Sequence, residues 1–564
     1  MQLSAPPDGD SLFSRLRAWI AAHPRLAVAL VTIGVLCLFL PKPFNVDDPL
    51  FLWTARQIQA HPFDPYGFTV NWYGNAEPMW RITENPPLTC YYLAVVTKIV
   101  GWSEIVLHLA FLLPALAVIL GTYRLAQRFS AANLLPPLLT LLAPGFLVSS
   151  TSVMCDVMML GFWMWAIVLW FEGMEKNRLL LLFAAMALVA LAGMTKYFGL
   201  CLVPLLLVYG AFCKTKPKLW LLPFAIPIII LGLYEMRTRA LYGHGLFSLA
   251  AEYSSAAKKY IGFLPVPSAG IGLAFTGGCL LAVIFLSPWL WSKRALAILA
   301  GGAVLLGGWL VLSGSLFARY GLTGQSRGLV SAQFLFWVFG GLGVLALAAN
   351  DLFLRRNPDS LLLFLWVIGT FIFVAFLNWT VNARSILPLI PAVALLIGRR
   401  LDTRLSNRPK WPSGIAVALS LSAVLGLFIA RADFMLAVAV RDSAWATCEK
   451  YGTIPGRLQF EGHWGFQYYA QESGAHPAEI KPLHPAPGVY LAIPLDNSSL
   501  EGPNAADVRL VDSFAVQGPR WLTTWSGEAG AGFYASTRGP LPFAINPVLP
   551  EAVVVYLWKD SPPK

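Results

Sequence analysis

Residues 86–100 read PPLTCYYLAVVTKIV, and how this stretch is counted decides the fold. It is apolar, yet shorter than the roughly 20 residues that a helix needs to cross a bilayer. It also opens on Pro86-Pro87. Around it lie further apolar runs, all but one of them longer: 25–41, 103–123, 131–150, 153–172, 179–195, 197–213, 219–236, 268–290, 295–313, 331–349, 360–378, 385–398 and 413–430. Together they predict about thirteen transmembrane helices. The fold class expected is an all-α polytopic membrane protein with a small C-terminal α/β domain.

Composition agrees. Hydrophobic residues make up 57% of the 564, charged residues 12%, and the mean hydropathy is +0.63. Soluble domains average roughly 25% charged residues. A charge at the centre of a spanning helix costs about 2.5–3.5 kcal/mol, so the few present sit between the runs. Seven cysteines, at 37, 90, 155, 201, 213, 279 and 448, show no paired spacing. They indicate neither a disulfide framework nor a zinc site. The net charge of +12 is placed at helix ends, which favours topology and lipid headgroups over nucleic acid.

Cytoplasmic loops carry the Lys/Arg excess. With the N-terminus inside, beside Arg15, Arg17 and Arg25, every second loop is short and basic. These loops hold Arg124 and Arg128; Lys176 and Arg178; Lys214, Lys216 and Lys218; Lys293 and Arg294; Arg355 and Arg356; and Arg399, Arg400, Arg404, Arg408 and Lys410. Counting 86–100 as a span would invert every later loop. It reads instead as an interfacial helix on the outer face, with Tyr91 and Tyr92 at headgroup depth. The first apolar run reads as a retained span, since no small-residue cleavage pattern follows it.

The expected organisation is a transmembrane domain over 1–430, with a long first outer loop at 42–102, and a soluble domain over 431–564. The tail is rich in Gly, Pro and polar residues, with strand-like runs at 457–460, 488–493, 508–511 and 553–558. Its aromatic stretch 460–469 suits either glycan stacking or the core of the small domain.

Groups able to carry chemistry collect on the outer side. Asp47 and Asp48 follow the first span. A carboxylate there can act as a general base or a metal ligand; it can equally cap the helix that starts at Pro49. Glu84 precedes Asn85-Pro86-Pro87 and reads as a ligand for hydroxyls or as a solvated loop acid. Asp156 stands at the outer end of the fourth run, where an acid must face protein or a water-filled cavity. Lys196, between the fifth and sixth runs, is a phosphate ligand or a snorkelling side chain. Arg384 opens the twelfth run, and Arg237 and Arg239 close the seventh against the positive-inside bias. Such a set can hold a sugar phosphate: acids take the hydroxyls and cations take the leaving phosphate.

These motifs, in this order, resemble the GT-C superfamily of lipid-linked-sugar glycosyltransferases. The nearest look is to families 39 and 83, the protein O-mannosyltransferases and the lipid A aminoarabinose transferases. The matching features are Asp47-Asp48, Glu84-Asn85-Pro86-Pro87-Leu88 with Tyr91 and Tyr92, Asp156, Thr195-Lys196, and Arg384 before Leu387-Pro388. The resemblance spans roughly 25–400 and is strongest over 40–200. It implies a polyprenyl-phosphate-sugar donor, an extracytoplasmic site and an essential Asp47, with Asp48 beside it. Glu84, Asn85, Tyr91, Asp156, Lys196, Arg237 and Arg384 would bind substrate. The chain departs from the aminoarabinose subgroup at Asn85, where that subgroup carries Lys, and at Pro49-Leu50, where it carries Arg. That points to another sugar or acceptor.

The expected function is therefore inverting transfer of a sugar to a lipid, glycan or protein acceptor, at the outer face of a bacterial inner membrane. The N-terminus would be cytoplasmic and the tail periplasmic or extracellular. Membrane lipids are the surrounding partners and nucleic acid is not expected. No cofactor is fixed by the sequence, and a divalent cation is left open. The alternative is a transporter or flippase of lipid-linked glycans; such proteins place coupling sites near the midplane. Mid-span polar residues are few here, His108 being one.

Overall fold

In a bilayer a backbone must satisfy its own polar groups, so apolar runs fold as helices. The computed structural model describes residues 12–83, 85–213, 218–314, 316–317, 320–406, 412–479, 488–497 and 503–559. In it, each of the apolar runs is largely helical. Among the described residues, seven helices are long and apolar enough to cross a membrane, or nine if each of two bent pairs counts as one span. This is a multi-pass membrane protein, and the expected count of thirteen is not reached by these helices.

The difference has local causes. Run 131–150 breaks at Ala143-Pro144 into Leu135–Leu141 and Pro144–Ser149, because proline cannot continue the first helix. Run 268–290 becomes Pro265–Cys279, Leu281–Phe285 and Ser287–Leu290. Leu179–Thr195 is a single helix of 17 residues, and a 3-10 turn at Tyr197–Cys201 leads into Leu202–Phe212. Close helix contact is made where side chains are missing. Any Cβ at Gly277 would strike Trp337 O, and one at Gly341 would strike Leu273 O. The Pro265–Cys279 and Gly324–Arg355 helices thus meet backbone to backbone.

The Leu88–Val100 helix buries Thr89, Cys90, Leu93 and Ala94 while Val95, Ile99 and Val100 face outward. It is pinned to the Asp48–Ala60 helix by Gln59 Nε2, which donates to Ala94 O at 2.9 Å and to Thr97 Oγ1 at 2.8 Å.

The last membrane helix runs unbroken from Ser413 to Tyr451, past residue 431, before the first strand of the tail. The tail then forms a five-stranded sheet. Glu551–Trp558 pairs antiparallel with Tyr490–Pro494 on one side and Val508–Val516 on the other. Leu458–Phe460 runs parallel to Tyr490–Pro494. The Trp464–Glu472 helix lies beside the sheet, and Phe466, Tyr468 and Tyr469 of the aromatic stretch are buried.

The tail is fastened to the membrane helices along a second segment. Phe533 O accepts from Ala383 N at 2.8 Å, and Ser536 N donates to Val381 O at 2.8 Å. Beneath this contact Lys42 and Asp433, both almost fully buried, pair at 2.6 Å.

Candidate functional site

The loop after the first membrane helix sets the site. Val46 has φ +51°, a strained value for a β-branched residue. The turn it makes sends the two following carboxylates in different directions. Asp48 is 1% exposed. Its Oδ2 accepts from Asn45 N and its Oδ1 from Val153 N, both at 3.0 Å. It therefore sews the loop to the start of the Cys155–Glu175 helix. Burial pushes its pKa up to about 7, against the backbone hydrogen bonds and Lys42, which lower it. Both oxygens are thus held by backbone amides, and Asp48 is not part of the cavity lining. Asp47 precedes the helix without a side-chain capping bond. Its carboxylate lines a cavity of about 560 Å³.

Arg384 closes over Asp47. Its Nη2 donates to Asp47 Oδ2 at 2.7 Å and its Nη1 to Met154 Sδ at 2.9 Å. Arg384 is held at the start of a short turn, Ala383–Ile386, capped by Asn382 Oδ1, which accepts from Ser385 N at 2.7 Å. Asp156, 2% exposed, lies behind it. Its Oδ1 accepts from Lys196 Nζ at 2.6 Å, and its Oδ2 is 3.9 Å from Arg384 Nη1. Asp156 sits in the first turn of its helix, where the helix dipole favours an anion. Asp47, Asp156, Lys196 and Arg384 thus form one continuous ionic cluster. Three of the four, Asp47, Lys196 and Arg384, reach the cavity surface.

The remaining expected residues are placed less uniformly. Asn85 lines the cavity, and its carbonyl accepts from Tyr66 OH at 2.7 Å. Tyr91 turns away from the cavity and donates to Pro62 O at 2.5 Å. Arg237 is exposed on the outside of the Ala225–Tyr242 helix, with Nη2 3.3 Å from Phe63 O. Neither lines the cavity: the Leu88–Val100 helix shows it Cys90 instead, and the Ala225–Tyr242 helix contributes no residue to its lining. Glu84 lies outside the described residues. His108 is a buried core residue, its Nδ1 2.8 Å from Glu104 O and its Nε2 3.2 Å from Thr151 O. Among the described residues no group of three or more His, Cys, Asp or Glu side chains is arranged to hold a metal ion.

Two contributors escaped the sequence reading. The Leu246–Tyr260 helix roofs the cavity with Phe247, Tyr253, Ser254 and Lys258. Lys258 Nζ donates to Phe376 O at 2.9 Å. The signal was present in Lys258-Lys259, a basic pair in an amphipathic stretch between two apolar runs. The other is Tyr534 of the tail, whose ring lies 5.7 Å from the Arg384 guanidinium. Nothing local in the sequence joins residues so far apart.

A family model described as dolichyl-phosphate-mannose-protein mannosyltransferase matches residues 84–234. That segment carries Asn85, Asp156 and Lys196. The resemblance to GT-C glycosyltransferases holds. The chain is also similar to solved structures. One is the Archaeoglobus fulgidus oligosaccharyltransferase in its apo form, with 15% identity, 83% of this chain and 66% of that chain covered, and a TM-score of 0.47. Another is ArnT from Cupriavidus metallidurans bound to undecaprenyl phosphate, with 16% identity, 85% and 93% covered, and a TM-score of 0.37. A third is the Saccharomyces cerevisiae Pmt1-Pmt2 complex bound to its sugar donor, with 16% identity, 38% and 33% covered, and a TM-score of 0.30. The chain spans slightly less than two thirds of the archaeal enzyme's length. No curated protein sequence matches it.

Proposed function

We propose that this protein transfers a sugar from a polyprenyl-phosphate donor to a hydroxyl-bearing lipid, glycan or protein, in the cavity between Asp47 and Lys258. The observation that carries the reading is the arrangement around Asp47. One carboxylate faces a cavity of sugar-binding size, and Arg384 and Lys196 stand beside it. Asp47 takes the acceptor's proton as its oxygen attacks the anomeric carbon. The bond to the donor phosphate breaks on the opposite face, so configuration inverts. The lipid phosphate leaves with the bonding electron pair.

The leaving phosphate needs positive charge as its own develops. Arg384 and Lys196 already face carboxylates, so they supply it in part. Lys258 donates only to a backbone carbonyl among the contacts above, and adds charge from the roof. Polar groups at Asn85, Asn378 and Asn382 are at hand for sugar hydroxyls. The cavity would open to the outer face of a bacterial plasma membrane, with the tail on that side. No observation favours the transporter alternative.

The test is incubation of the purified protein, in lipid nanodiscs, with radiolabelled polyprenyl-phosphate sugars and candidate acceptors. Covalent product is expected. Movement of donor across vesicles without any covalent product would overturn the reading.

A further inference from the structure

The Asp47–Arg384 pair joins two segments that are distant in sequence, and nothing within either segment alone fixes their spacing. The tail does. Asp433 Oδ2 holds Lys42 Nζ at 2.6 Å, five residues before Asp47. The same carboxylate accepts from Thr524 Oγ1 at 2.6 Å and from Tyr534 OH at 3.0 Å. The Tyr534 ring in turn lies against the Arg384 guanidinium at 5.7 Å. Lys42, Asp433 and Tyr534 are all nearly fully buried.

The backbone repeats the connection. Residues on both sides of Tyr534 bind the segment that leads into Arg384: Phe533 O takes Ala383 N, Ser536 N reaches Val381 O, and Val381 N donates to Ser536 Oγ at 3.2 Å. The contacts close into a ring: Asp47, its loop, Lys42, Asp433, Tyr534, Arg384, and back to Asp47. Buried charges are costly unless matched, so a ring of this kind has few alternative arrangements.

We propose that the C-terminal segment completes the reaction site, with Tyr534 as a positioning residue that holds Arg384 against Asp47. This rests on the function proposed above. Tyr534 touches no substrate; it acts through Arg384. The ring face stabilises the guanidinium, and the hydroxyl ties that face to the Lys42–Asp433 pair. The tail is then an integral part of the active site, and not only a module for docking other molecules.

The experiment compares full-length wild type, Tyr534→Phe and Tyr534→Leu in nanodiscs, with three readouts. Transfer kinetics at varied donor separate kcat from KM. Thermal unfolding reports stability. Modification by an arginine-selective dicarbonyl, mapped by mass spectrometry, reports whether Arg384 is held. Losing the ring contact is expected to lower kcat/KM about tenfold in Tyr534→Leu, as a partly buried cation–π contact implies. Arg384 should be modified several-fold faster in that variant. Tyr534→Phe keeps the ring and should recover most of both. Equal Arg384 modification in all three proteins would overturn the proposal, as would Phe and Leu variants that lose activity only in step with melting temperature. If wild type transfers no sugar but Arg384 still labels faster in Tyr534→Leu, the positioning role stands and the reaction assigned to the site fails.

Discussion

The two ends of the helical bundle handle charge in opposite ways. At the end that carries the basic loops, acids and bases form a network of mostly part-exposed pairs, in which Arg128 also meets Glu175 and Glu172 also meets Lys176. Arg124 meets Glu172 at 3.0 Å, Arg128 meets Asp359 at 3.0 Å, and Arg355 meets Asp351 at 3.1 Å. At the cavity end the pairs are fewer and mostly more deeply buried. Arg384 serves both Asp47 and Asp156, and Asp156 also serves Lys196. Exposed pairs contribute about 0–1 kcal/mol each and are screened by salt. Buried ones gain little net stability, because desolvation offsets the attraction. A cluster kept under those terms is better explained by chemistry than by stability. The basic end is explained by topology.

That contrast can be broken by substitution. Among the cations the largest effect is expected for Arg384→Gln, which removes the charge facing both carboxylates and the departing phosphate. Transfer should fall by roughly 10²–10³-fold, the scale of losing a preorganised charge-stabilising donor; a loss below tenfold would remove Arg384 from the mechanism. Asp156→Ala comes next. It strands Lys196 and Arg384 and should destabilise the protein by about 3–5 kcal/mol, read by chemical denaturation, with activity lost as well.

Lys258→Gln should leave stability unchanged and raise the donor KM about tenfold, in line with one charge-assisted contact to phosphate. An unchanged KM would take the roof out of donor binding. At the opposite end, Arg355→Gln should change stability by less than about 1 kcal/mol and transfer not at all. A large loss of activity there would erase the distinction between the ends.

Protons offer a subtler test in the tail. Burial, helped by Asp496, pushes Glu551 from 4.5 up to about 8. The folded state therefore holds a proton that the unfolded state gives up. The contribution is fully present below pH 4.5 and is lost as pH rises to about 8. Melting temperature should decline across that window, and Glu551→Gln should flatten the decline. A slope identical in both proteins would show that Glu551 does not titrate in this way.

Sequence order carried the site a long way. Asp47, Asp156, Lys196 and Arg384 each sit at a helix end, where apolar periodicity stops and a charge stands out. Positive-inside counting then put them on one face, and the fold brings them within one cluster. Arg237 entered because it stands against the positive-inside bias, and Tyr91 with the motif that carries the resemblance; neither signal gives the direction a side chain takes. Asp47 and Asp48 are adjacent in sequence yet differently placed, one at the cavity and one on backbone amides; the left-handed Val46 precedes both, and no local pattern announces it. The span count was less legible. Hydropathy reads 131–150 as one run, whereas Pro144 divides it. The part played by Tyr534 depends wholly on tertiary contact.

The account stands on Asp47 as the base. Its direct test is the rate of sugar transfer by wild type and Asp47→Asn, each purified in nanodiscs with the same labelled polyprenyl-phosphate sugar and acceptor. Asn keeps the size and can still accept from Arg384, but cannot take a proton. The variant should insert and bind donor as wild type does while transfer falls by about 10²–10⁴-fold, the range of a general base. Transfer at the wild-type rate by Asp47→Asn would contradict the account.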